Sequence, residues 1–162
     1  SPVAGHRIER AENREYYAVS SAQKRLFILD QLSSHRTHYN MPVVLILEGR
    51  INLEKIERVF HALIARHDSL RTYFEIVDDV PVQKISPGVS FSIEHYKIRD
   101  RGGEDNKTGI NNIIREFIRP FDLRKPPLLR AGIIPLTPGK CIFLMDVHHI
   151  ISYALSNELL KI

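Results

Sequence analysis

The chain has 162 residues, 43% hydrophobic and 26% charged, with a formal charge of +4 and a pI of about 9.3. That length suits one globular domain with a real core. No apolar run reaches the roughly 18 residues that span a bilayer, and the N-terminal stretch carries no apolar signal segment. The mild basic excess favours acidic partners. Scattered Lys and Arg, 8% aromatics and the lack of a basic run or zinc-finger spacing argue against nucleic acid. Cys141 is the single cysteine, so no intrachain disulfide forms. A reducing cytoplasm and a buried, inert thiol are the expectation.

Residues 1–15 alternate arginine and glutamate and read as a linker or frayed terminus, leaving 16–162 as the domain. "SSAQKRLFILDQL" predicts a short helix over 21–32, with Ser20 or Ser21 as N-cap and Leu26 and Leu29 on an apolar stripe. "MPVVLILEG" (41–49) is a continuous β-branched run and predicts a strand buried on both faces. Leu53, Ile56, Val59, Phe60, Leu63 and Ile64 fall at helical spacing opposite charged residues. With Asn52 as N-cap they predict a helix over 53–66.

"LRTYFEIV" (70–77), a turn at "DD" and "VPVQKI" predict a hairpin. "FSIEHYKI" (91–98) alternates as a strand with one exposed face. "RDRGGEDNKTG" predicts a long loop, and "INNIIREFI" (110–118) a helix that Pro120 ends. "PLLRAGIIPL" and "KCIFLMDVHH" predict two antiparallel strands joined across "TPGK". A last short helix is expected over 154–161. The order of elements predicts an α/β (α+β) two-layer sandwich with a mixed, mainly antiparallel sheet and helices packed on it.

His148 and His149 close the last strand. Side chains alternate along a strand, so the two rings point to opposite faces and do not form a two-ligand metal clamp. The other histidines (6, 35, 38, 61, 67 and 95) lie at no ligand spacing, and no metal site is expected. A neutral imidazole at a strand end, with a pKa near 6.5, takes a proton from an amine or alcohol, or donates a hydrogen bond to a developing charge. A histidine pair by itself is more often structural. No glycine-rich phosphate loop, G-x-S-x-G or C-x-x-C occurs.

Three stretches, "SSAQKRLFIL" (20–29), "RHDSLRTYF" (66–74) and "HHIISYA" (148–154), change the weight of that pair. In order, they resemble S-x-A-Q-x-R-L-x-x-L, R-H-x-x-L-R-T-x-F and H-H-x-x-x-D-G, the first core motifs of nonribosomal peptide synthetase condensation domains. "YNMPVVLILEGRINLEKIERVFHALIARH" and "RPFDLRKPPLLRAGII" also look like stretches of that family, so the resemblance runs from about residue 16 to the last residue. It implies a chloramphenicol acetyltransferase-like lobe, one of two that form a V around a tunnel. It further implies acyl transfer without a metal or directly bound cofactor. Phosphopantetheine would arrive on acidic carrier proteins, the chain's implied partners along with the second lobe and an adenylation domain.

By position, the resemblance makes His149 the catalytic candidate and His148 structural. Arg66 and Arg71 match the two arginines of the second motif. In the family, the arginine matching Arg71 pairs with the motif's aspartate. Tyr153 stands in that aspartate's place and Ala154 in the glycine's. The resemblance therefore predicts an Arg71 that has lost its partner, at a cost of roughly 3–5 kcal/mol if buried. Alternatively Arg71 turns to solvent, stacks on Tyr153 or pairs with Asp146.

The sequence stops just past the histidine motif, so the expectation is an N-terminal lobe without its C-terminal lobe, inactive alone. Such a lobe would self-associate through exposed apolar surface. A non-catalytic docking module and an oligomeric stand-alone acyltransferase are the alternative readings.

Overall fold

A computed structural model describes residues 14–33, 37–98 and 103–152. Within them the chain runs β1 (Tyr17–Ala18), α1 (Ser21–Leu32), β2 (Asn40–Glu48), α2 (Leu53–Arg66), β3 (Thr72–Val77), β4 (Val80–Ile85), β5 (Ile93–His95), α3 (Gly103–Phe117), β6 (Leu129–Thr137) and β7 (Lys140–His148). The expected linker lies mostly outside the described residues, as does the expected helix over 154–161.

Local chemistry sets the helix starts. Ser20 accepts from the Gln23 amide at 3.1 Å, and the Gln23 side chain accepts from the Ser20 amide at 2.9 Å. This reciprocal capping box starts α1 where the sequence places it. Asn52 caps α2 by accepting from the Lys55 amide at 2.8 Å, and Glu54 and Arg66 complement the helix dipole at its two ends. Asp78 and Asp79 both take positive φ, 50° and 61°, and turn β3 tightly into β4. That pair of left-handed residues matches the twist of a two-residue hairpin.

The strands form two sheets. A small one has the order β1-β4-β3, and the larger one the order β2-β7-β6-β5. All pairings are antiparallel except β5 with β6. This is the mixed, mainly antiparallel sheet with helices that the element order predicts. Alternation along β6 and β7 divides the core. Ala131, Ile133, Cys141, Phe143 and Val147 join Phe60, Ile64 and other residues around α2. Ile134, Ile142 and Leu144 pack instead with Phe117, Ile113 and Ile114 of α3. Gly132 permits the second packing, because a Cβ there would lie 3.0 Å from the Tyr96 ring and 3.1 Å from Phe117. Cys141 is buried as expected, and burial pushes its thiol up.

Four expectations need correction. β2 is not covered on both faces: it is an edge strand, with Val44 47% exposed and Ile46 62% exposed. Its unbroken apolar run is the pattern of a buried strand, yet nothing among the described residues lies beyond its outer edge. The long loop ends sooner than expected, because α3 begins at Gly103. Ile110, Ile113 and Ile114 anchor that helix on the sheet, and this packing overrides the weak propensity of its first turns. The strand over 91–98 shrinks to Ile93–His95, and residues 68–71 form a 3-10 turn before β3. No helix among the described residues is long and apolar enough to cross a membrane.

Candidate active site

β7 delivers the histidines. Its last residue, His148, has no exposed surface. Its amide donates to the Leu128 carbonyl at 3.0 Å, which ties the strand end to the start of β6. Its ring lies between Tyr39 and Phe121, at centroid distances of 6.3 and 6.1 Å. Nδ1 accepts from the Ile150 amide at 3.1 Å, so in the neutral ring the proton sits on Nε2. Nε2 lies 3.8 Å from a carboxylate oxygen of Asp30, itself 1% exposed. Burial first, and then the neighbouring His149, push the His148 imidazole down to about 4.

His149 leaves the strand and opens a helical turn over 149–152. Its amide donates to the Tyr39 carbonyl at 2.8 Å, which fastens the turn to the segment entering β2. The ring is half-buried. Its Nδ1 lies 3.5 Å from the Ser152 hydroxyl, which donates to the His149 carbonyl at 2.8 Å. The roles at Nδ1 follow the tautomer: a ring that carries Nδ1–H toward the Ser152 oxygen has Nε2 as its proton-accepting nitrogen.

The arginines of the second motif sit elsewhere. Arg66 is exposed in the last turn of α2. Arg71 ends the 3-10 turn, pairs with Asp68 and donates to the carbonyls of Ile64 at 3.2 Å and Ser86 at 2.7 Å. The orphaned charge expected from the Tyr153 replacement does not arise. A turn of three residues presents Asp68 to the guanidinium, and two carbonyls complete its shell. Tyr153 and Ala154 lie outside the described residues. Asp146 does not pair with Arg71 either. It is fully buried, accepts from the Asn40 amide group at 2.6 Å and lies 3.8 Å from Arg130. Burial raises its carboxyl, against the pull of Asn40 and Arg130.

Sequence reasoning did not single out Asp30, Ser152, Asn40 or Arg130. One signal was available for Asp30. It stands three residues after Phe27 and four after Leu26, on the face of α1 that meets the core, where a carboxylate needs a reason.

A profile of the condensation-domain family matches residues 13–161. The chain belongs to the condensation-domain family. Among its relatives, bacitracin synthase 3 of Bacillus licheniformis is 43% identical over 90% of this chain, and gramicidin S synthase 2 of Aneurinibacillus migulanus is 40% identical over 94%. The chain spans only 2% and 3% of those proteins. In fold it is similar to the starter condensation domain of rhizomide synthetase, with a TM-score of 0.72 and 24% identity over 83% of this chain and 33% of that one. The first condensation domain of the CDA synthetase gives a TM-score of 0.69 at 17% identity, over 83% of this chain and 35% of that one. Three motifs in order therefore point to the condensation-domain family from sequence alone.

Proposed function

We propose that this chain forms the N-terminal lobe of a nonribosomal peptide synthetase condensation domain, with His149 at the reacting centre. The observation that carries the reading is the placement of His149. It heads a turn at the strand end, half-exposed, while His148 beside it is locked in the core. The substrates are acyl or peptidyl and aminoacyl thioesters on the phosphopantetheine arms of two carrier proteins. The acceptor amine attacks the donor carbonyl, a C–N bond forms, the C–S bond breaks and the donor arm leaves as a thiol. One proton passes from the amine to the departing sulfur. His149 Nε2 takes it from the amine or holds the amine while it moves.

A second lobe completes the tunnel and packs along β2. Support comes from the exposed apolar side chains of that strand and from the 33% of the solved domain that the chain spans. With one lobe, and with Tyr153 and Ala154 in the motif, the 162 residues by themselves position no acceptor. The test uses loaded donor and acceptor carrier proteins, with mass spectrometry of the acceptor arm and NMR of carrier binding. The isolated chain binds carrier protein and yields no dipeptide above a His149→Ala control. The lobe carrying Tyr153→Asp and Ala154→Gly, exchanged into a homologous full-length domain, restores dipeptide formation, and His149→Ala in that domain abolishes it. An exchanged domain that is active with His149→Ala, or a chain that binds no carrier, overturns the proposal.

A further inference from the structure

We propose that Asp30 is a positioning residue for His149, acting through the ring of His148. The inference rests on the reading of His149 as the reacting group, but its geometry is independent of turnover. Asp30 lies on the inward face of α1 with Phe27, and both are buried. A carboxylate taken that far from water is costly unless a donor meets it. Gln31 Nε2 donates to one carboxylate oxygen at 3.5 Å; the other faces His148 Nε2 at 3.8 Å, a distance for charge–dipole attraction and beyond a direct hydrogen bond.

The other side of the ring decides the proton. His148 Nδ1 accepts the Ile150 amide at 3.1 Å, so a neutral ring carries its hydrogen on Nε2, toward Asp30. The opposite tautomer would set an Nδ1–H against the Ile150 N–H and leave both without an acceptor. The Ile150 amide favours this ring form from one side, and the Asp30 carboxylate, facing the Nε2–H at 3.8 Å, favours it electrostatically from the other. That amide belongs to the turn over 149–152, whose first N–H groups have no partner of their own within the helix. That turn carries both His149 and Ser152. The chain of contacts runs from α1 through the buried imidazole to the turn, and a change at Asp30 reaches His149 without touching it. This is the tautomer-setting logic by which the partner of one ring nitrogen fixes what the other does.

The test is a long-range proton–nitrogen NMR spectrum of the 162-residue chain labelled at histidine ring nitrogens. The expected result is a His148 with unprotonated Nδ1 and protonated Nε2. Asp30→Leu removes the carboxylate at similar volume. It mixes the His148 tautomers, shifts the His149 ring signals and speeds exchange of the Ile150 amide about tenfold, as for one lost cap. Asp30→Asn keeps an acceptor oxygen and retains the tautomer. Phe27→Leu destabilises the same helix face and leaves both histidine signals in place. A His148 that carries its proton on Nδ1 overturns the proposal at once, even if Asp30→Leu fails to fold. Equal shifts of His149 in Asp30→Leu and Phe27→Leu also overturn it. None of these readouts needs peptide formation, so failure of the acyl-transfer reading and failure of this one are seen separately.

Discussion

β2 and β7 are hydrogen-bonded neighbours along nine residues, from Asn40 opposite His148 to Glu48 opposite Lys140. β7 buries Asp146 and His148 completely. β2, one strand away, leaves Met41, Val43, Val44, Leu45 and Ile46 in contact with solvent. The polar groups of β7 are inside with partial compensation: Asp146 accepts from Asn40 and lies 3.8 Å from Arg130, and His148 accepts from the Ile150 amide and lies 3.8 Å from Asp30, while one oxygen of Asp146 and Nε2 of His148 make no hydrogen bond among the described residues. The apolar groups of β2 are outside because, among the described residues, the sheet ends there. Folding free energy in this chain comes from the two clusters around β6 and β7, while the buried polar groups lie at the candidate site and the exposed apolar run leads away from it along β2. Departures of that kind are expected where function, rather than stability, selects the residue.

The largest expected effect breaks the polar side of this comparison. Arg130 donates to the carbonyls of Phe117, Arg119 and Pro120, lies 3.7 Å above the Phe121 ring and stands beside Asp146. Burial pulls its guanidinium down to about 10, with Arg119 adding to the effect. Arg130→Ala leaves the buried Asp146 without its counter-charge and strips several carbonyls of a donor. The expected cost is about 3–5 kcal/mol, read from the urea midpoint. A loss below about 1 kcal/mol would show that water replaces the guanidinium and that this cluster is not closed.

The next effect is pH dependence. His148 titrates at about 4 in the folded chain, against 6.5 when unfolded. Above pH 6.5 both states are neutral there and the stability is intact. As pH falls from 6.5 toward 4, the unfolded chain binds a proton that the folded chain refuses. Stability is lost through that window and the loss levels off below it, at about 3 kcal/mol. Glu94 and Asp122 are held low, against burial, by Arg119 and Arg124, and they also lose stability as pH falls. The His148 share is therefore the difference in slope between the native chain and His148→Leu, measured by urea unfolding at about pH 7 and about pH 4. Equal slopes would mean that Asp30, whose charge works toward a protonated ring, keeps the folded imidazole near its ordinary range.

Legibility followed the range of the interaction. α1 and α2 are readable to the residue because Ser20 and Asn52 act within their own first turns. The β3–β4 hairpin is readable because Asp78 and Asp79 act on their own backbone. The reach of α3 is not, because its support comes from β6 and β7, far along the chain. β2 misleads for a related reason: an apolar run states that a strand wants cover and not what covers it. At the site, motif order places His148 and His149. It says nothing of Asp30, which meets His148 from the far end of the sequence, and nothing of Asp68 as the counter-charge of Arg71.

The smallest effect on folding tests the apolar side. The Tyr39 carbonyl takes the His149 amide, and the Gly49 amide reaches the Gly139 carbonyl, so odd-numbered residues of β2 direct their backbone groups toward β7. The amides of Val44, Ile46 and Glu48 therefore face the open edge, and Pro42, which has none, also stands on that side. Such an edge, uncharged from Met41 to Leu47, is a template for another strand. In a complete domain the second lobe takes that place under the reading above. In the isolated chain other copies compete for it. Val44→Lys with Ile46→Lys puts two charges on the exposed face, and Ile46→Pro removes one outward amide without touching the ladder to β7. Each changes folding free energy by about 0.5 kcal/mol or less, because nothing packed is lost. Each also shifts the chain toward monomer in sedimentation velocity across a concentration series. A native chain that is already monomeric throughout would show the edge to be inert. A loss of more than about 2 kcal/mol in either variant would show that β2 is packed on the side assigned to the open edge.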